Sequence, residues 1–286
     1  MFSLNLIAGI SAAEHGVSFA GFTNIVRNDT RGLQLAGFSN HIGKKADGTM
    51  LAGFINTYGG GKGLAAAGFG NFSKAKSRVQ MAGVFNKAGD VSSLQMTGLA
   101  NVASYVRGSQ ISGIINVAKN VKGLQMASLI NIADTADCQI GLINISRNGE
   151  KSLSASFDEN QTLMMDFRSG VKTVYGILGL GYNFKNRKQV YAYEAGLGVH
   201  LIKGSLFLLD AELTEGSLFD FKKGDYYKSS FRLLPSIRIA RAIVIFAGPS
   251  LNYISTDTEE GRTLRTKYIS SWGGDNGHDF RAFYFG

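Results

Sequence analysis

Seven charged residues in the second half of the chain stand at alternating positions within apolar stretches. Side chains two residues apart share one face of a strand, so carboxylates and arginines at this spacing could pair in an interior. Glu194, Asp210 and Glu212 are also candidates for the acid and base of a carbohydrate- or lipid-cleaving enzyme. We interpret the set as interior charges: Asp166, Arg168, Glu194, Asp210, Glu212, Arg232 and Arg238.

Other residues able to do chemistry are isolated. The histidines lie far apart in the sequence: His15, His41, His200 and His278. The single Cys138 excludes an intrachain disulfide and argues against a cysteine-based zinc site. Residues 273–279 could hold a cation, but they lack the regular acidic spacing of a calcium loop. We therefore expect a non-enzymatic protein with no catalytic set, no bound metal and no cofactor.

β-Strands in which apolar residues alternate with small or polar ones would position the seven charged residues. From Tyr191 to Leu201, every second residue is apolar, and the intervening residues, such as Glu194, are small or polar. An apolar face with aromatic ends opposite a small or charged face is typical of a membrane-spanning β-barrel. A soluble antiparallel sandwich or barrel remains the alternative. About eight segments follow this pattern: residues 153–157, 163–167, 174–184, 191–201, 207–213, 231–239, 243–253 and 282–285.

The first half repeats one asparagine at steps of 16, 16, 15, 15, 15, 15, 15 and 13 residues. The positions are Asn24, Asn40, Asn56, Asn71, Asn86, Asn101, Asn116, Asn131 and Asn144. A glycine three residues earlier accompanies most of them: Gly21, Gly37, Gly53, Gly68, Gly83, Gly98 and Gly113. Ser128 and Gly141 precede the last two. A fixed period indicates one structural unit copied along an axis.

Two arrangements fit this repeat. In a β-solenoid each unit is one coil, and equivalent Gln and Asn side chains stack into hydrogen-bonded columns. In an antiparallel meander the natural repeat would be two units, about 30 residues, because alternate turns lie at opposite ends of the sheet. The units show no odd and even difference, which favours the solenoid. We expect Asn at a repeated corner and residues such as 44–47 in an outward loop.

Composition limits the partners. Abundant Gly (37) with scarce Pro (2) suits tight turns rather than disorder. The net charge of +9 is dispersed in short basic pairs, which indicates solvated loops more than a nucleic-acid site. Residues 226–228 (Tyr-Tyr-Lys) are expected as anchors at a membrane interface. We expect outer-membrane lipid as a partner, a protein or glycan as a possible one, and no nucleic acid.

The phrase Gly32-Leu33-Gln34-Leu35-Ala36-Gly37-Phe38-Ser39-Asn40 and its copies resemble surface-repeat proteins of Gram-negative bacteria. The opening residues 3–9 and the segment 245–252 share this resemblance. It implies repeats followed by an outer-membrane β-barrel-like region, with no assigned chemistry. It places the chain in the outer membrane or on the cell surface. Because residues 1–5 lack the features of a signal peptide, we expect a mature or trimmed form.

These observations predict an all-β protein with a repeat region at 1–148 and an antiparallel β-barrel-like region at 149–286. Outer-membrane barrels end on a strand with a terminal aromatic residue, whereas this chain ends on residues 283–286 (Phe-Tyr-Phe-Gly). We therefore expect a C-terminally truncated barrel. The expected role is adhesion, scaffolding or display of a partner. An outer-membrane pore or transport component and a soluble all-β binding protein are the alternatives.

Overall fold

The chain is nearly all β-strand, with one short helix, so the predicted all-β class is confirmed. The computed structural model describes residues 2–222, 225–265, 267–273 and 280–286. The chain forms two compact units. The first contains Met1–Gly141 and Ile145–Gly149, and the second contains Leu142–Asn144 and Glu150–Gly286.

The repeats form a parallel β-solenoid of about ten coils. Its strands are β1 (Phe2–Asn5), β2 (Ala8–Ser11), β3 (Glu14–Ala20), β4 (Thr23–Val26), β5 (Thr30–Ala36), β6 (Ser39–Ala52), β7 (Ile55–Gly60), β8 (Leu64–Ala67), β9 (Gly70–Ser73), β10 (Lys76–Ala82), β11 (Phe85–Lys87), β12 (Asp90–Thr97), β13 (Ala100–Val102), β14 (Tyr105–Val106), β15 (Ser109–Ser112), β16 (Ile115–Val117), β17 (Asn120–Ala127), β18 (Ile130–Ile132), β19 (Thr135–Ile140) and β20 (Ile143–Ile145).

Each coil contributes to two parallel sheets. The Asn sheet contains β2, β4, β7, β9, β11, β13, β16, β18, β20 and the start of β6. The Gln sheet contains the other strands and the end of β6. Neighbouring coils pair in register, for example Asn40 with Asn56 and Gln95 with Gln110. Because the pairing is parallel, the solenoid prediction is confirmed and the meander is wrong.

Two local predictions about the repeat are wrong. The Asn residues lie inside strands of the Asn sheet rather than at corners. The described non-glycine residues with positive φ are Gln161, Lys172 and Phe221, so no described Asn adopts a left-handed backbone. Residues 44–47 belong to strand β6 instead of forming a loop. The first coils have 16 residues instead of 15, and β6 continues there into its parallel pairing with β5, in which Thr30 is opposite Ala46.

Glycine forms the corner at which the Gln sheet turns into the Asn sheet. A Cβ atom at Gly37 would lie 2.1 Å from the carbonyl oxygen of Gly21, and one at Gly68 would lie 2.2 Å from that of Gly53. Both distances are far below van der Waals contact, so these coils can approach this closely because glycine occupies positions 37 and 68. We call this edge the Gly–Phe corner, because phenylalanine often follows the glycine.

The second unit is built on a ten-stranded antiparallel sheet. Its elements are β21 (Glu150–Phe157), β22 (Thr162–Val171), β23 (Val174–Asn183), β24 (Tyr191–Lys203), β25 (Phe207–Phe219), β26 (Tyr226–Ala240), β27 (Ile243–Phe246), β28 (Ser250–Thr256), α1 (Glu259–Thr263), β29 (Ser270–Trp272) and β30 (Phe280–Phe285). No described helix has the length and apolar character needed to cross a membrane.

The predicted count of eight strands is too low. The segment 243–253 is interrupted around Gly248 and Pro249, which separates β27 from β28. Proline cannot donate a hydrogen bond to a sheet, and a Cβ at Gly248 would lie 1.8 Å from the carbonyl oxygen of Leu233. The short strand β29 was also not predicted, because its three residues carry too little pattern.

The antiparallel sheet curves so that one face, the inner face, encloses an interior. Arg168 on β22 reaches Glu212 on β25, three strands away, with 2.7 Å between Nε and Oε1. The Asn160 Nδ2, in the turn after β21, donates to the Tyr284 hydroxyl on β30 at 2.8 Å. The paired strands follow the order β21-β22-β23-β24-β25-β26-β28-β30-β29, with β27 paired to β26 alone. Closure of this sheet into a barrel stays a prediction.

Candidate functional site

The antiparallel sheet has its charged side chains inside, together with an apolar cluster around Tyr226 and Ile254, and it has most of its large apolar side chains outside. On β23 and β25, Leu180 and Leu213 are 69% and 61% exposed. On the inner face, Glu194 is 5% exposed and Glu212 is 1% exposed. This polarity is the reverse of an ordinary soluble sheet, which buries its apolar face. The outer face therefore presents a broad apolar surface.

The interior charges form a connected cluster. The Arg168 guanidinium makes a two-pronged contact with Glu212, at 2.7 and 3.2 Å, and Glu212 also accepts the Tyr175 hydroxyl at 2.9 Å. The Arg232 guanidinium binds Glu194 in the same way, at 2.9 and 2.5 Å. A contact of 3.9 Å between Arg232 and Glu212 links the two pairs. Such bidentate pairs offset the cost of burying charge.

Asp166 completes this cluster. It is fully buried and lies 3.4 Å from Arg168, and its Oδ2 accepts the Ser154 hydroxyl at 3.3 Å. Five of the seven predicted interior charges are thus brought together: Asp166, Arg168, Glu194, Glu212 and Arg232. The carboxylates of Glu194 and Glu212 face guanidinium groups instead of an open cleft.

The remaining two predicted charges lie elsewhere. Asp210 is directly opposite His200 on the neighbouring strand, with 2.7 Å between Oδ1 and Nδ1. His200 was predicted to be isolated, although it and Asp210 both lie on the inner face. Arg238 makes no ion pair among the residues that the structure describes, because it stands near the far end of β26.

A second interior group was missed from the sequence. The Lys228 ammonium contacts Asp158 at 2.8 Å and Glu159 at 3.5 Å. Residues 226–228 were predicted as a run of interface anchors, but Tyr226 is buried and only Tyr227 is exposed. The period of two explains the correction, since residues 226 and 228 share the inner face. That signal was already present in the sequence.

Side chains fill most of this interior. A cavity of about 30 Å³ lies among residues that include Asn160, Met164, Glu194 and Tyr226. It offers room for about one or two water molecules. Among the described residues, the ion pairs of Arg168 and Arg232 therefore occupy the interior beside this cavity.

Aromatic side chains gather at one end of the outer face. Ring pairs such as Tyr191–Phe219, at 5.9 Å between centroids, and Tyr182–Tyr191, at 6.2 Å, connect neighbouring strands. The group comprises Phe157, Tyr182, Phe184, Tyr191, Tyr193, Phe219 and Phe221. Aromatic residues concentrate in this way at membrane interfaces.

The Asn residues of the solenoid form a buried column. Each side-chain amide donates to the Oδ1 of the next Asn, for example from Asn56 to Asn71 at 2.8 Å and from Asn71 to Asn86 at 2.9 Å. The same amide also donates to a backbone carbonyl of the following coil, such as Met81 for Asn71. The ladder covers Asn24, Asn40, Asn56, Asn71, Asn86, Asn101, Asn116 and Asn131. Asn144 is also buried and donates to the carbonyl of Ser169 at 3.1 Å.

A second buried column runs through the Gln sheet. Gln95 donates to Gln80 at 2.7 Å, and the pattern continues through Gln110, Gln125 and Gln139 at 2.8 Å. Tyr58 ends the column, because its hydroxyl accepts from Gln80 at 2.8 Å. Burial raises the pKa of Tyr58. The predicted columns are therefore present, and they lie inside the solenoid.

Gln34 is the exception in this column. Its equivalents in the neighbouring coils are Ser18 and Met50, neither of which can continue an amide ladder. Gln34 is 1% exposed, and neither its Nε2 nor its Oε1 has a hydrogen-bond partner among the described residues. Glutamine thus occurs inside the solenoid both with hydrogen bonds to its neighbours, as in the column, and without a partner among the described residues, as at position 34.

The solenoid also carries a cationic groove of about 910 Å³ on the outer side of the Asn sheet. Arg27, Lys74 and Lys87 line it, together with Phe72. His41 lies beside them, with its Nδ1 2.7 Å from the Thr57 hydroxyl. The three cations give this groove a positive potential.

In the ranges that the structure describes, no group of three or more His, Cys, Asp or Glu residues is arranged so that it could hold a metal ion. The predicted cation loop, with Asp275, His278 and Asp279, lies outside the described residues. Searches with protein-family models, among curated proteins and among solved structures find no match to this chain.

Proposed function

We propose that this chain is a non-enzymatic surface protein of the outer membrane of a Gram-negative bacterium. In this proposal the antiparallel sheet is embedded in lipid, and the solenoid is a scaffold that displays a binding surface. The observation that carries it is the reversed polarity of the sheet, with Glu212 buried and Leu213, the next residue, 61% exposed. Lipid accommodates such an apolar outer face, whereas water does not.

The strand lengths support the same proposal. β24 has 13 residues and β25 has 13. A strand of about 9–11 residues, tilted by about 45°, crosses a bilayer. The outer face of β24 carries Tyr191 and Tyr193 at one end and Leu201 at the other. This order, from aromatic to aliphatic, suits a strand that starts at a membrane interface.

One charged residue on the outer face fits this arrangement. Glu215 is exposed and accepts the Ser229 hydroxyl at 2.7 Å. Its strand neighbour two residues away, Ser217, pairs with Tyr193 of the aromatic end. Glu215 therefore lies near the level of the aromatic group, where a charge costs little, about 0–1 kcal/mol, compared with the bilayer centre.

The filled interior favours anchoring over conduction. The ion pairs of Arg168 and Arg232 cross the space that a pore would need, and the cavity beside them is about 30 Å³. For the binding role, the cationic groove with Arg27, Lys74 and Lys87 is the candidate surface. An outer-membrane pore would show single-channel conductance in planar bilayers, and an anchor would show none.

A matched pair of substitutions tests the lipid contact. Leu213, within β25, and Leu206, in the turn before it, are 61% and 63% exposed. Leu213 pairs with Leu197 in the middle of β24, away from the aromatic end. An arginine near the bilayer midplane costs about 2–4 kcal/mol, and one near the interface costs about 0–1 kcal/mol. We expect Leu213→Arg to abolish insertion into lipid vesicles, measured by flotation, while Leu206→Arg inserts normally. Equal behaviour of both variants would favour the soluble binding protein instead.

A further inference from the structure

We infer that the Gly–Phe corner of the solenoid is a second membrane-binding surface, which enters one leaflet of an anionic bilayer. This inference rests on the proposed membrane location, but it concerns a different unit and a different surface. The surface, here called the lipid wedge, is the row of side chains that follow the corner positions. They are Phe22, Phe38, Phe54, Phe69, Val84, Leu99, Ile114 and Leu129.

The lipid wedge is apolar, and all of its residues except the half-buried Val84 are exposed. The rings of Phe22, Phe38, Phe54 and Phe69 stack in succession at 4.7, 5.0 and 4.8 Å between centroids. Phe22 is 53% exposed, and the aliphatic residues that continue the row, such as Leu99 and Leu129, are about 40% exposed. Seven steps of ~4.8 Å make the row about 34 Å long.

The strand ends on the Gln-sheet side of the wedge are apolar on their outer face as well. In the Gln sheet, Leu51, Met81 and Met96 line a shallow groove of about 420 Å³ together with alanines. The polar residues of these strands, such as Gln80 and Gln95, point inward into the buried column. The solenoid thus has the same reversed polarity around this corner as the antiparallel sheet.

Charge is absent from the wedge side of eight successive coils. The eight residues that end at each of the first eight repeat Asn residues contain no Asp, Glu, Lys or Arg, whereas the ninth segment, 137–144, contains Asp137. The uncharged segments are 17–24, 33–40, 49–56, 64–71, 79–86, 94–101, 109–116 and 124–131. The charged residues fall between these segments. Residues 1–149 contain thirteen Lys and Arg against six Asp and Glu, so this charged edge is positive. A positive edge beside an apolar one complements anionic headgroups above acyl chains.

The backbone of the corner can enter hydrocarbon without loss. The Phe38 N–H donates to the carbonyl of Phe22 at 2.8 Å, and the Phe54 N–H donates to that of Phe38 at 2.9 Å. The glycine N–H of the corner is bonded to the preceding coil too, as Gly37 is to Ala20 at 3.1 Å. Unbonded backbone groups exclude most loops from lipid, whereas the N–H groups of Phe38, Phe54 and Phe69 at this corner are all bonded to the preceding coil.

The length of the apolar part of each coil determines how deeply the lipid wedge can enter the bilayer. Four residues of the Gln sheet, such as Leu33 to Ala36, lie between the charged part of the coil and the corner. At ~3.3 Å per residue they extend about 13 Å. Half of the ~30 Å hydrocarbon core is about 15 Å, so the wedge reaches into one leaflet and does not span the bilayer.

Tryptophan fluorescence of the full chain in vesicles tests this inference. The single Trp272 lies in the other unit, so Trp272→Phe gives a background for new probes. Phe54→Trp places the probe in the wedge, and Tyr105→Trp places it on the charged edge, where Tyr105 is 52% exposed. The vesicles contain phosphatidylcholine and phosphatidylglycerol, with or without bromine on the acyl chains. Aqueous iodide is the opposing quencher.

We expect brominated lipid to remove most of the emission of Phe54→Trp and little of that of Tyr105→Trp, with iodide giving the reverse. Quenching of Phe54→Trp by iodide alone would overturn the inference. Shielding from both quenchers, with a concentration-dependent mass in sedimentation, would mean that a second copy covers the wedge and would also overturn it. The native Trp272 reports separately on the proposed lipid contact of the antiparallel unit.

Discussion

The clearest prediction compares one substitution at two positions of the same buried column. Gln95 accepts from Gln110 and donates to Gln80, whereas Gln34 has no partner among the described residues. Methionine has nearly the volume of glutamine and already occupies the equivalent position 50. We therefore expect Gln95→Met to destabilise the solenoid and Gln34→Met to stabilise it.

The magnitudes follow from the hydrogen bonds. Gln95→Met leaves the Gln80 Oε1 without its donor and removes the acceptor of the Gln110 amide. Each buried group left unpaired costs about 1–3 kcal/mol, so the total is about 3 kcal/mol. Gln34→Met instead removes two buried polar atoms that make no bond, and a gain of about 1 kcal/mol is expected.

Equilibrium unfolding in urea, with the full chain in mild detergent, measures both effects by far-ultraviolet circular dichroism. Hydrogen exchange of the peptides around residues 30–40 and 90–110 assigns the change to the solenoid. Lys87→Gln, at an exposed position of the same unit, is the control and should change stability by less than about 0.5 kcal/mol. A loss of similar size for both methionine variants would refute the role given to the ladder.

Two further pairs of variants test the corner and the interior. Gly68→Ala should lower the free energy of unfolding by about 2 kcal/mol or more, because its Cβ would lie 2.2 Å from the Gly53 carbonyl oxygen, whereas Ser128→Ala should be nearly neutral. Unfolding in urea measures both variants, and equal losses of stability would count against close packing of the coils. Arg232→Leu leaves Glu194 uncompensated and should cost about 3 kcal/mol, while Arg238→Leu should cost far less. Similar unfolding midpoints for these two arginine variants would contradict the interior cluster.

The repeat could be predicted from the sequence because each repeated Asn bonds to the equivalent Asn of the next coil. An Asn that pairs with its own copy must recur at the length of one coil, so the spacing of Asn40, Asn56 and Asn71 defines the solenoid directly. The inward direction of Gln34 could not be predicted, because period two separates two faces without saying which one is buried. Pattern rules normally place leucine inside, and here Leu33 and Leu35 lie outside.

The interior charges were recognised by position, but their partners required the curvature of the sheet. Arg168 and Glu212 lie 44 residues apart and three strands away from each other, so no local pattern joins them. Asp210 and His200 are different, since a ten-residue hairpin places them opposite each other. That pair could have been found by aligning the polar faces of the two strands.

Heat-modifiability on a gel, after membrane fractionation of cells that express the natural gene, tests the central claim most directly. The account predicts that the protein is found in the outer membrane and migrates faster unheated than boiled, because a lipid-facing sheet resists detergent. A soluble protein with no shift on heating would contradict it, since the exposed face that includes Leu180 and Leu213 would then have to be covered in water by something other than lipid.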